Sequence, residues 1–292
     1  MARAAHPSEA ATTVSVRDSA RSGEPDLWLS ALLAPAAARD GLVAIAAFAA
    51  EISRIAEQAR QPLVGEIRLQ WWRDALTGAV PGARSGHPVA DALAEAVRRH
   101  SLPMTAIERL LEAHSFDVSD ELLTDDAALD DYLAATRGLV FALGVAVLAG
   151  PDAAAHPGLR DAGIAYGLAR GLGRLGLTRR HGAFVIPKSR LAMAGIDPAT
   201  LQHDPLPSDT AVAIDTIARG LEMKARTALD AACASLADLL PAAHAALLPL
   251  AMVEPYFAAQ NRSGVRRLVD MADPMPLARV WRLWRAHRSK RI

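Results

Sequence analysis

The sequence predicts an all-α bundle, and three observations carry that prediction. Apolar residues recur at three- and four-residue spacing, as at Leu42, Ile45, Ala49, Ile52 and Ala56, which lays them on one helical stripe facing a core. Such segments follow one another across short turns, with no strand pattern between them. Hydrophobic residues make up 51% of the chain but aromatics only 4%, so the core is mainly alanine, leucine and valine, side chains that suit closely packed helices. At 292 residues the chain is long for one domain, yet it contains no internal repeat, and a helical fold of this size can enclose one core.

Composition narrows the function classes. Lys+Arg and Asp+Glu are both 32, so there is no global attraction to nucleic acid and any basic surface is local. Cys233 is the only cysteine, which excludes an internal disulfide framework and a cysteine-based zinc site. The longest apolar runs, such as Leu139 to Ala149, fall short of the ~20 residues that cross a bilayer, so a soluble or peripheral protein is expected.

Taken in order, residues 1–23 are rich in Ala, Ser, Thr and Arg without apolar periodicity and are expected to form a disordered arm, leaving 24–292 as a single domain. The arm has no apolar block of a secretory leader, and Glu9 and Asp18 count against a transit peptide. Pro25 to Pro35 reads as a short helix with Trp28 and Leu32 one turn apart, and the Leu42 helix follows. Pro62 then sits at a first helical position. Leu63, Ile67 and Trp71 share one face of that next helix, with Trp72 and Leu76 close by, so both tryptophans are expected to be core wedges rather than a platform for bases.

Pro81 to Pro88 is a loop, and His87 caps the helix that Pro88 opens. Arg98, Arg99 and His100 close that helix, where cations complement the macrodipole. A helix from Met104 runs past Asp117, for which a solvated or capping role and a place in a site are left open. The acids Asp125, Asp126, Asp130 and Asp131 read as a charged helix start rather than a metal cluster. Gly138 and Gly144 in the helix from Tyr132 to Gly150 permit close helix approach, and Gly163, Gly167 and Gly171 make a second such line. Residues 171–176 spell G-x-G-x-x-G, but a helix rather than a strand precedes them, so no dinucleotide site is expected. Helices from about Asp209 to Leu239 and Pro241 to Ala259 follow the loop Pro198 to Pro207. The terminal helix sets Leu277, Trp281 and Trp284 on one face and Arg279, Arg282, Arg285 and Arg288 on another. The tryptophan face is expected to dock on the core, and an anionic membrane or a partner protein is the alternative.

Two segments carry a family resemblance. AFAAEISRI followed by VGEIRLQWWRDAL resembles the first signature of the squalene/phytoene synthases, F-C-R-x-x-D-D-x-x-D and a downstream L-x-x-W-R. Phe48 takes the aromatic place, while Ser53, Arg54 and Glu57 stand where the aspartates would. AGIAYGLARGLGRLGLTRRHGAFVIP resembles their second signature, G-x-A-x-Q-L-x-N-x-x-R-D-x-x-x-D, then G-R-x-Y-L-P. Gly163, Ala165, Leu168, Gly182 and Pro187 match. Gly167 replaces the glutamine, Arg170 the asparagine, and Arg174 and Thr178 the two aspartates. The chain looks most similar to the branch of this family that contains a mitochondrial complex I assembly factor.

The resemblance implies an isoprenoid synthase-like bundle. It also implies a pocket at the former motif positions, formed by Ser53, Arg54, Glu57, Asp117, Gly138, Gly167, Arg170, Arg174 and Thr178. In the resembled enzymes the aspartates hold magnesium ions that bind a prenyl diphosphate and draw it off, and Glu57 alone cannot supply such a set of hard oxygens. No metal or other cofactor is therefore expected, and no catalytic residue. Arg170 and Arg174 are left to bind a phosphate directly, to pair with Glu51 or Glu57, or to face solvent. The expected function is a non-catalytic protein that binds a prenyl or other lipid ligand or assists assembly of a membrane complex. It would be cytoplasmic or peripheral on an inner membrane, on the matrix side in a eukaryote. The alternative is a head-to-head prenyl transferase, which would need magnesium.

Overall fold

A computed structural model describes residues 7–59, 61–77, 85–119, 121–178, 184–203, 206–262 and 267–292. The helices are α1 (Pro7–Gly23), α2 (Pro25–Leu33), α3 (Ala36–Gln58), α4 (Pro62–Thr77), α5 (Pro88–His100), α6 (Met104–Ser115), α7 (Asp126–Leu133) and α8 (Leu139–Ala149). They continue as α9 (Gly158–Leu172), α10 (Leu175–Thr178), α11 (Lys188–Met193), α12 (Ser208–Ser235), α13 (Leu240–Leu247), α14 (Val253–Gln260) and α15 (Pro276–Ser289). No strand occurs among the described residues.

α8 organises the bundle because it is apolar all round, as a helix enclosed on every side must be. Phe141, Ala142 and Val145 join a core with α9, α12, α13 and α14. Val140, Leu143, Ala146 and Val147 join a second core with α3, α5 and α6. In α3 every residue from Gly41 to Ala50 is buried, and Phe48 meets Trp72 of α4 edge-on at 5.2 Å. Small residues let the layers close. A β-carbon on Gly163 of α9 would lie 2.4 Å from the backbone nitrogen of Gly138, so no other residue fits there without moving a helix.

Capping follows the sequence signals. His87 accepts from Ala90 N at the start of α5 (3.4 Å), and Asp125 accepts from Ala128 N at the start of α7 (2.9 Å). The acids beyond Asp125 meet cations: Asp126 takes a two-pronged contact from Arg190 at 2.7 and 2.6 Å, and Lys224 and Arg160 reach Asp130 and Asp131. α7, a π-helical turn over Ala134–Gly138 and α8 run as one helix from Asp126 to Ala149. By length and composition this stretch and Pro241–Gln260 are long and apolar enough to cross a membrane, unlike the apolar runs read from sequence. Both are mostly buried inside the fold, as core helices are.

Three expectations are corrected. Residues 7–23 form α1 rather than a disordered arm, with Val16 and Ala20 buried and Ser19 donating to Glu51 of α3. The inward side chains are too small to register as periodicity. In α4 the inner face is Gly65, Leu69 and Trp72, while Leu63, Ile67 and Trp71 are exposed. Close packing of Gly65 on Val118 selects that face over the more apolar one. In α15, Leu283 and Ala286 point inward with Arg279, and Trp281 and Trp284 stay outside. Gly182 and the loop from 78 to 84 lie outside the described residues.

Candidate functional site

The cleft lies where the last turns of α3 face the last turns of α9. Ser53, Ala56 and Glu57 come from α3, Gly167, Arg170 and Gly171 from α9, Arg174 from the turn after it and Thr178 from α10. Tyr132, Leu133, Thr136 and Arg137 form the floor from α7 and the π turn, with His114 and Asp117 beside them. The cleft is narrow and open to solvent on one side. The spacing is helical: Ser53 and Glu57, and likewise Arg170 and Arg174, are one turn apart and look the same way.

Seven of the nine expected positions line this cleft: Ser53, Glu57, Asp117, Gly167, Arg170, Arg174 and Thr178. Arg54 turns towards α1, where it donates to Ser22 Oγ at 2.6 Å. Gly138 lies behind the wall, against α9. Gly167 packs on Leu133 and Arg137, so it brings α9 close to the floor as well as lining the space.

Three ion pairs, two of them sharing Glu24, hold the arginines that line the cleft. Arg174 Nη2 donates to Glu57 Oε1 across the cleft mouth. Arg170 does not reach Glu57 or Glu51. It is buried and donates to Glu24, which also receives Arg137 Nη1 at 2.7 Å. Glu24 is 1% exposed. Burial alone would raise its carboxyl, but Arg137 and Arg170 outweigh burial and hold it below the ordinary value. Burial pulls the Arg174 guanidinium down against the opposing effect of Glu57. Its Nε, like Ser53 Oγ, is buried without a hydrogen-bond partner.

Asp117 is buried rather than solvated or capping. It lies 2.6 Å from His114 Nδ1 and accepts from the Tyr132 hydroxyl at 2.6 Å. The phenol is pushed well up by burial and by the adjacent Asp117 carboxylate. Behind this wall a further buried acid, Asp26, accepts from Tyr166 at 2.9 Å and Tyr256 at 2.7 Å, and Arg279 Nε lies 2.6 Å from its other oxygen.

Sequence reasoning missed Glu24, Asp26, His114 and Arg137. Glu24 and Asp26 flank the first proline of α2 and look like ordinary acids at a helix start. Arg137 had a signal, since it directly precedes Gly138 in a recognised helix. Magnesium asks for an octahedron of hard oxygens, and the carboxylates lining the cleft are those of Glu57 and Asp117. Glu57, Glu24 and Asp117 are each bonded to protein groups, and no cluster of three or more His, Cys, Asp or Glu able to hold a metal occurs among the described residues.

Comparison with known proteins gives three results. The family model described as squalene/phytoene synthase matches residues 20–285. The NADH dehydrogenase (ubiquinone) complex I assembly factor 6 of Bos taurus is 26% identical over 141 residues, 48% of this chain and 42% of that protein. The Mus musculus protein is 25% identical over 148 residues, 51% of this chain and 44% of that one, so the match spans less than half the length of these relatives. Among solved structures, a dehydrosqualene synthase in complex with ligand superposes with a TM-score of 0.72 at 13% identity, covering 95% of each chain. The squalene synthase HpnC from Alicyclobacillus acidocaldarius gives 0.64 at 18% identity, covering 87% of this chain and 94% of that one. At such identities the likeness shows the isoprenoid synthase-like helical fold.

Proposed function

The chain belongs to the squalene/phytoene synthase family, and from that footing we propose that it is a non-catalytic member whose cleft binds a phosphate-bearing lipid without magnesium. The observation that carries this reading is the Glu57–Arg174 pair. Departure of a diphosphate needs concentrated positive charge, and in this cleft the guanidiniums are offset by Glu57 and Glu24. Binding makes a smaller demand. Arg174 Nε and Ser53 Oγ are donors without partners inside the cleft, and phosphate oxygens match them.

Similarity to complex I assembly factors supports, in general terms, a role in assembly alongside the binding of a ligand. Incubation with farnesyl or geranylgeranyl diphosphate, with and without magnesium, is the test. The reading expects binding of the prenyl diphosphate and no release of inorganic diphosphate in either condition. Magnesium-dependent release would instead support head-to-head prenyl transfer.

A further inference from the structure

α15 is held to the body by one face and presents the other to solvent. Arg279 reaches Asp26 and Asp273 at 2.6 and 2.8 Å, Leu283 and Ala286 are buried, and Arg282 Nε donates to Ala251 O at 3.1 Å. These contacts fix the helix rotation. Outward, Leu277, Trp281 and Trp284 stand one above another at helical spacing and are 82%, 55% and 47% exposed. The guanidiniums of Arg285 and Arg288 each lie 5.2 Å from the rings of Trp281 and Trp284. Residues 276–292 contain no acid, although the whole chain is neutral on balance. Among the described residues, no carboxylate forms an ion pair with Arg285, Arg288, Lys290 or Arg291.

We infer that the outer face of α15 docks the protein on an anionic lipid surface, with Leu277 and the two indoles entering the interface and the flanking cations meeting lipid phosphates. A row of exposed indoles beside uncompensated arginines matches both parts of such a surface. Indole rings settle at the boundary between headgroups and acyl chains, and basic side chains gain from the negative surface potential. An acidic protein would satisfy the arginines, but it would leave Leu277 and the outer indole edges without an apolar counterpart. The inference stands whether or not the cleft binds a lipid.

The test is co-sedimentation of the full chain with phosphatidylcholine vesicles and with phosphatidylcholine–phosphatidylglycerol vesicles, at low and high salt. Binding to the anionic vesicles alone, weakened by salt and accompanied by tryptophan quenching from brominated lipid, is expected. The Arg285→Glu, Arg288→Glu variant should lose this binding, and Trp281→Ser, Trp284→Ser should lose the quenching, both with unchanged circular dichroism. Should a variant misfold, the salt dependence and quenching of the wild type decide. Wild-type protein that ignores anionic vesicles at low salt would overturn the inference, as would binding that survives charge reversal. Self-association abolished by the serine substitutions, without vesicle binding, would overturn it in favour of contact between copies.

Discussion

Arg174 donates to Glu57 across the cleft, joining a residue at the end of α3 to one just beyond α9. Opposite charges thus stand on the two walls. Both side chains are about one-third exposed, so their coupling in a double-mutant cycle of Glu57→Ala and Arg174→Ala should not exceed about 1 kcal/mol. Exchanging the charges, Glu57→Arg with Arg174→Glu, should recover most of what either single reversal loses. Zero coupling together with no recovery would show that the two residues do not act as a pair.

Glu24 should be far more sensitive. Glu24→Gln leaves Arg137 and Arg170 without their shared carboxylate, a loss of about 3–5 kcal/mol for a broken buried pair. Its pH signature has a definite sign. A carboxylate held below its ordinary value of 4.5 contributes stability above that pH and loses it as pH falls through the folded value. Urea unfolding of the wild type should therefore show stability falling below pH 4.5, with a shallower acid limb in Glu24→Gln. Parallel limbs would contradict the assignment.

The tryptophans divide by position. Trp72→Ala opens a cavity beside Phe48 and should cost about 3–5 kcal/mol. Trp281→Ala and Trp284→Ala remove exposed rings and should each stay within roughly 0.5 kcal/mol. Thermal or urea melts of the three variants compare them directly, and a large loss from the α15 pair would mean that this face is buried in solution.

Gly163→Ala should destabilise by about 1–3 kcal/mol, because its β-carbon would press on the backbone of Gly138 and cannot be relieved by a side-chain rotation. The loss should appear in the unfolding midpoint. A neutral substitution would mean that α9 and the π turn separate easily in solution.

The helix order and most of the cleft were legible because periodicity and motif register specify which residues of α3 and α9 share a face. Ser53, Glu57, Arg170 and Arg174 were placed that way and do line one space. The partners of the arginines were not all legible. Glu24 lies 146 positions from Arg170, and no local pattern encodes so distant an ion pair. Helix rotation was misread in α4 and α15 for a related reason. Gly65 and Arg279 decide those rotations through contacts with Val118 and Asp26, which outweigh the pull of the larger apolar side chains. α1 escaped notice because alanine and valine contacts on α3 leave little hydrophobic contrast in the sequence.

The most direct test of the proposal that the cleft binds its ligand without metal is the thermal shift given by a non-hydrolysable prenyl thiodiphosphate, measured with magnesium and again with a chelator. A ligand at a hundred times its Kd stabilises the folded state by about 2.7 kcal/mol, well within reach of a melting curve. The account predicts the same upward shift in both buffers and its loss in Arg174→Ala. A shift that appears only with magnesium would contradict it and restore the metal-dependent transferase reading.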